Sequence, residues 1–118
     1  MHRSMEAWMD LFEVEVTCPD KDSAREIASA CLRNRLVACA NLLPKVESLF
    51  CWQGQIDSET EVLLRLKTPA CNFDAVCAQI RANHPFELPA IIALPVQAMG
   101  PGVADWVLQE TQLAKICD

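Results

Sequence analysis

Two long strand-forming segments face each other across a short turn. Residues 37–51 (VACANLLPKVESLFC) have no helical period and many strand formers. Residues 56–68 (IDSETEVLLRLKT) alternate, with Val62, Leu64 and Leu66 on one face and Glu61, Arg65 and Lys67 on the other. Trp52-Gln53-Gly54-Gln55 between them reads as a turn, so the pair predicts a long antiparallel hairpin. Pro44 interrupts the first segment. A proline inside a strand belongs at a sheet edge or a bulge, so this segment is one long bent strand or two short ones.

The rest of the chain has to be arranged around that hairpin. Residues 8–17 (WMDLFEVEVT) alternate as a half-buried strand, with Phe12, Val14 and Val16 on one face and Glu13 and Glu15 on the other. Cys18-Pro19-Asp20 makes a turn. Ser23 with Glu26 three residues later has the form of a capping box, and Ala24, Ile27, Ala28, Cys31 and Leu32 then fall on one face of a helix over about 22–35. Thr68-Pro69 predicts the N-cap and first residue of a second helix, with Phe73, Val76, Cys77 and Ile80 as its apolar face. That helix must stop near Asn83, because His84 precedes Pro85 and is driven out of the helical region. Residues 90–97 (AIIALPVQ) read as a buried strand, Gly100-Pro101-Gly102 breaks the chain, and Val103 to Lys115 reads as a last helix.

The order β-α-β-β-α-β plus a terminal helix predicts an α+β, ferredoxin-like fold with sheet order 4-1-3-2 and both main helices on one face. The other face has no local cover and still carries apolar residues such as Leu63, so a second copy of the chain is its expected cover. With no internal repeat and no linker, residues 1–118 read as one domain, with 1–7 as a disordered tail.

Composition narrows the function classes. The 118 residues are 52% hydrophobic with only 3 Gly, which excludes a low-complexity chain. A net charge of −6 argues against a nucleic-acid or anionic-membrane partner, and no apolar run reaches a membrane span. Met1 to Asp10 (MHRSMEAWMD) lacks the apolar core of a secretory signal. The 7 Cys form no C-x-x-C pair, so the expectation is free thiols without disulfides in a reducing cytoplasm.

Few residues carry chemistry. Cys39, in Ala38-Cys39-Ala40-Asn41, reads first as a small buried hydrophobe, with a soft thiolate ligand for copper or zinc as the functional alternative. His84 lies in a loop between prolines (His84-Pro85-Phe86-Glu87-Leu88-Pro89). It suits either a ligand or proton carrier, or a turn residue whose ring bonds a carbonyl. Glu61, Arg65 and Lys67 form a row that is either solvated or lines a cleft between subunits, where it would bind an anion or a carboxylate. Trp52 at the turn is a core residue or an interface anchor. There is no Gly-rich phosphate loop, no Ser-His-Asp set and no His-Glu-x-x-His motif, so neither an enzyme nor an organic cofactor is expected.

Five short segments in order carry a resemblance that runs from about Phe12 to Thr111. They are Arg35-Leu36-Val37-Ala38-Cys39-Ala40-Asn41, Trp52-Gln53-Gly54-Gln55-Ile56, Glu61-Val62 through Lys67-Thr68, His84-Pro85-Phe86-Glu87-Leu88-Pro89 and Asp105-Trp106. Together they resemble the divalent-cation tolerance protein family, CutA. The resemblance implies a homotrimer like that of PII signal-transduction proteins, with long hairpins reaching between subunits, and binding of copper and other divalent metals. It places Cys39, Asn41, Trp52, Glu61, Lys67 and His84 in an intersubunit cleft, with Cys39 and His84 as the metal ligands. Where the family usually has Tyr this chain has Phe50 and Phe86, and where it usually has Glu this chain has Ala90. The cleft implied here has fewer hard oxygen donors, which favours a soft metal. The alternatives to a metal-binding trimer are a small-molecule or nucleotide sensor using Lys67 and Arg65, and a structural scaffold trimer.

Overall fold

A computed structural model of the chain describes residues 10–113. The expected tail at 1–7 lies outside the described residues, and the last helix, expected to reach Lys115, stops at Glu110 because Thr111 is extended. The elements are β1 (Leu11–Cys18), α1 (Lys21–Arg33), β2 (Cys39–Trp52), β3 (Gln55–Pro69), a single 3-10 turn (Ala70–Asn72), α2 (Phe73–Asn83), β4 (Ile92–Pro95) and α3 (Val103–Glu110). They form one antiparallel sheet in the order β2-β3-β1-β4, the order expected of a ferredoxin-like fold.

Period-two alternation decides what each strand buries. Val14 and Val16 of β1 pair with Leu66 and Leu64 of β3, and all four are fully buried. They meet Ala24, Ile27 and Cys31 of α1 and Val76 and Ile80 of α2 in one core. The opposite parity points away from both helices: Glu13, Glu15 and Thr17 on β1, Leu63, Arg65 and Lys67 on β3, and Cys39, Asn41 and Leu43 on β2.

The hairpin is longer than the core beneath it. The register shifts between Leu43 and Val46, where Pro44 sits and Lys45 takes φ +60°, so the strand is continuous with one bulge. Beyond that bulge β2 and β3 leave the domain as an arm, and the molecule measures 51 × 25 × 24 Å. Gln53 (φ +52°) and Gly54 (φ +79°) close the arm in a two-residue turn, with both central residues left-handed. Leu49, Trp52 and Ile56 stand exposed along it.

Four expectations need correction. The N-cap of α1 is Asp20, whose Oδ1 accepts the Ser23 amide at 2.8 Å, and not Ser23. Asp20 ends the turn with extended backbone and a short acceptor side chain, which is what the cap requires. Thr68 and Pro69 finish β3 instead of opening α2. The Thr68 hydroxyl donates to the Leu36 carbonyl at 2.7 Å, a tertiary bond that outranks local capping, and α2 starts only after the 3-10 turn. The strand expected over 90–97 is four residues at the sheet edge, paired with β1 alone and largely exposed within the chain. Finally, Cys71 is disulfide-bonded, while Cys18, Cys31, Cys39, Cys51 and Cys77 are free thiols. Bridging needs spatial proximity that sequence spacing does not report.

A clasp fixes the start of β2. Arg35 (φ +56°) donates from its guanidinium to the carbonyls of Gln109 and Glu110 at the end of α3, and its own carbonyl accepts the Gln112 amide. The cation thus sits at the negative end of the helix. Buried Asn72 donates to both Leu36 and Gln112 carbonyls. Cys39 follows four residues after Arg35 and is held in place by this tie.

Candidate functional site

The helix-free face of the sheet gathers a polar cluster around Cys39. Cys39 is the direct cross-strand partner of Lys67, and Glu13 is the partner of Lys67 on the other side. The row therefore reads Cys39, Lys67, Glu13 across three strands. The Lys67 Nζ donates to Asn41 Oδ1 at 3.0 Å, lies 3.5 Å from Glu13 Oε2 and 4.0 Å from Cys39 Sγ. Cys39 Sγ is 3.7 Å from the same Asn41 oxygen. Two residues along, Arg65 Nε lies 3.5 Å from Glu15 Oε1. Cys39 is partly exposed, so the reading of it as a buried hydrophobe does not hold: strand parity turns it away from the helices.

Two cations face two carboxylates here, so the face is neutral by matching. An anion would have to displace Glu13 or Glu15 to reach Lys67 or Arg65, and these ion pairs weaken the sensor alternative.

The other expected residues lie elsewhere. His84 is the extended residue after α2 and is buried. Its Nε2 lies 2.9 Å from the Thr17 carbonyl, and its Nδ1 accepts the Phe86 amide at 3.0 Å. A carbonyl only accepts, so Nε2 carries the proton and both ring nitrogens are engaged. On β3 the position opposite Thr17 is Leu63 and the one opposite Cys39 is Lys67, about 13 Å apart along the strand. One subunit does not bring Cys39 and His84 together. Glu61 is buried at that far end, opposite Val46, and its charge acts on Cys18. Burial first, then Glu61 and Asp20, push the Cys18 thiol up to about 11, so it stays protonated and inert at neutral pH. Trp52 is at the tip of the arm, 61% exposed. Of the six expected residues, the structure joins three, Cys39, Asn41 and Lys67, and adds Glu13.

That set does not by itself make a closed metal centre. Among the described residues no group of three His, Cys, Asp or Glu side chains is arranged to hold an ion. Cys39 is a soft donor with an open side, while the lone pair His84 would use is taken by the Phe86 amide. Glu13 and Glu15 escaped the sequence reading of the site. Their alternation was legible, but their pairing with Lys67 and Arg65 depends on a register between strands separated by a helix and a further strand.

The sheet order and the long bulged hairpin define an α+β protein of the ferredoxin-like class. The CutA1 divalent ion tolerance protein family model matches residues 12–110, and the chain belongs to that family. It is 41% identical over 97 residues to Protein CutA of Mus musculus, which covers 82% of this chain and 55% of that protein. It is 36% identical to the divalent-cation tolerance protein CutA of Thermus thermophilus, covering 83% of this chain and 95% of that one. The chain thus spans about half the length of the mouse relative and nearly all of the bacterial one. The crystal structure of CutA1 from Oryza sativa superposes with a TM-score of 0.84 at 31% identity, covering 87% of this chain and 94% of that one.

Proposed function

We propose that the chain acts as a homotrimeric copper- or divalent-metal-binding protein in metal tolerance, without enzymatic activity of its own. The observation that carries the assembly is the arm. Leu49, Phe50, Trp52 and Ile56 project from the domain on strands that neither helix covers. Apolar surface of this kind, rimmed by Glu47, Asp57 and Glu59, marks a contact with another chain. A PII-like trimer gives each arm a neighbouring subunit to lie against.

Cys39 supplies the soft ligand, and copper is the ion that thiolate best suits. The free edge of β2 carries Cys39, and β4 is the other free edge, so edge-to-edge contact between subunits puts residues of a neighbour beside it. His84 joins such a site only by releasing the Phe86 amide. A binding role also accounts for the ion-paired state of Lys67 and Arg65 better than a catalytic one. The solvent-reachable free thiols Cys39 and Cys51 favour a cytoplasmic location, and the Cys71 disulfide weighs against it.

Calorimetric titration of reduced protein with Cu(I), Cu(II), Zn²⁺ and ATP tests this reading. Cu(I) binds, ATP does not, Cys39→Ser weakens Cu(I) by at least about tenfold, and His84→Ala has a smaller effect. Copper binding by Cys39→Ser equal to the parent's contradicts the site. Tight ATP binding puts the sensor ahead.

A further inference from the structure

The neighbourhood of Cys39 allows a reaction that metal binding does not use. A cysteine sulfenic acid is electrophilic at sulfur and is consumed by the nearest nucleophile, a thiol or a nitrogen. No free thiol among the described residues is placed to serve Cys39: Cys77 lies on α2, which packs on the opposite face of the sheet. Cys18 and Cys31 are sealed in the core, and Cys51 lies twelve residues further along the same strand, about 40 Å away. The nucleophile at hand is an amine: Lys67 Nζ is 4.0 Å from Cys39 Sγ, on the residue directly opposite it in the sheet. Asn41 Oδ1 at 3.0 Å steadies that amine beside the sulfur. The Glu13 carboxylate at 3.5 Å holds the lysine head on the same side of the sheet as the sulfur.

We propose that Cys39 and Lys67 are a redox modification site, in which a hydroperoxide oxidises the thiol and the two side chains then join through a sulfur–nitrogen bond. In the first step hydrogen peroxide transfers one oxygen to the Cys39 sulfur. The thiol becomes a sulfenic acid, sulfur loses two electrons, and the peroxide is reduced to water. In the second step the Lys67 ammonium gives a proton to solvent. The neutral amine attacks sulfur, the S–O bond breaks, the S–N bond forms and a second water leaves. The protein has lost two hydrogens, and a dithiol reductant returns both side chains. Closing 4.0 Å to bonding distance needs only rotation about the four-carbon stem of the lysine. The bridge staples β2 to β3 and leaves Cys39 without a thiolate for metal binding while it lasts.

The test is peroxide treatment of metal-free, full-length protein, followed by intact mass and peptide mapping without reductant. The expected result is a cross-linked pair of peptides carrying Cys39 and Lys67, lighter by two hydrogens and separated by dithiothreitol. In Lys67→Arg, whose guanidinium is a poor nucleophile, that cross-link disappears and dimedone labels Cys39 instead. A Cys39 that stays reduced, goes on to sulfinic acid with Lys67 unmodified, or is found only in disulfides overturns the proposal. Because no metal is present, each of these results leaves the copper reading to its own titration.

Discussion

His84 shows how one residue can satisfy the sequence reading of a functional loop and yet be spent on structure. Its ring bridges the Thr17 carbonyl at the end of β1 and the Phe86 amide of its own loop, and its backbone takes the extended form that Pro85 imposes. Removing the ring leaves two part-buried polar groups without their partner. His84→Ala should therefore lower stability by about 2 kcal/mol, read as a shift in the denaturation midpoint. An unchanged midpoint would remove the structural role. At the same scale, burial raises the thiols of Cys18 and Cys31 from 9.0 to about 11. Their folded values lie above the unfolded one, so their contribution to stability is complete below pH 9 and is lost as pH rises through 11. The melting temperature should fall over that window, and the double variant Cys18→Ala, Cys31→Ala should fall less steeply. Asp20 behaves in the opposite sense. Its bonds from Ser23 hold the carboxyl below its ordinary 3.8, so the cap of α1 is intact above that pH and weakens below it.

At the scale of elements, the hairpin was legible because its information is local: alternation, a Gly-containing turn and one proline. The turn closed at Gln53-Gly54 as expected, and Pro44 fell at a bulge on the edge strand. What local pattern missed was every feature settled by a distant partner. Thr68 caps nothing because the Leu36 carbonyl claims its hydroxyl, and Cys71 is disulfide-bonded although no spacing in the sequence marks it. The site was half legible for the same reason. Cys39, Asn41 and Lys67 share one end of a single hairpin, whereas Glu13 reaches them through β1. The arm's turn gives a sharp test. Gly54 is left-handed, and a β-branched residue there is strained by about 1–2 kcal/mol. Gly54→Val should loosen the arm, seen as faster amide exchange over residues 47–60. The core amides of Val14 and Val16 should keep their protection, and equal loss in both regions would mean that the arm is not a separate unit.

For the whole molecule, the domain and the arm make different demands. The domain closes its own core under α1 and α2. The arm does not close anything, and its exposed Leu49, Trp52 and Ile56 lie among acidic residues that would keep a free monomer soluble while leaving the apolar strip bare. Trp52→Asp with Ile56→Asp places charge where the neighbouring chain is expected. That variant should fold with its helical signal intact and sediment as a monomer. A double variant that still sediments like the parent would take the arm out of the contact.

The measurement that bears most directly on the account is sedimentation equilibrium of the parent chain at micromolar concentration, with and without Cu(I). A single species of three chains is expected in both conditions, with copper changing occupancy and not assembly. A monomer under either condition would contradict it, because the arm would then stand bare and Cys39 would have no second subunit to complete its site.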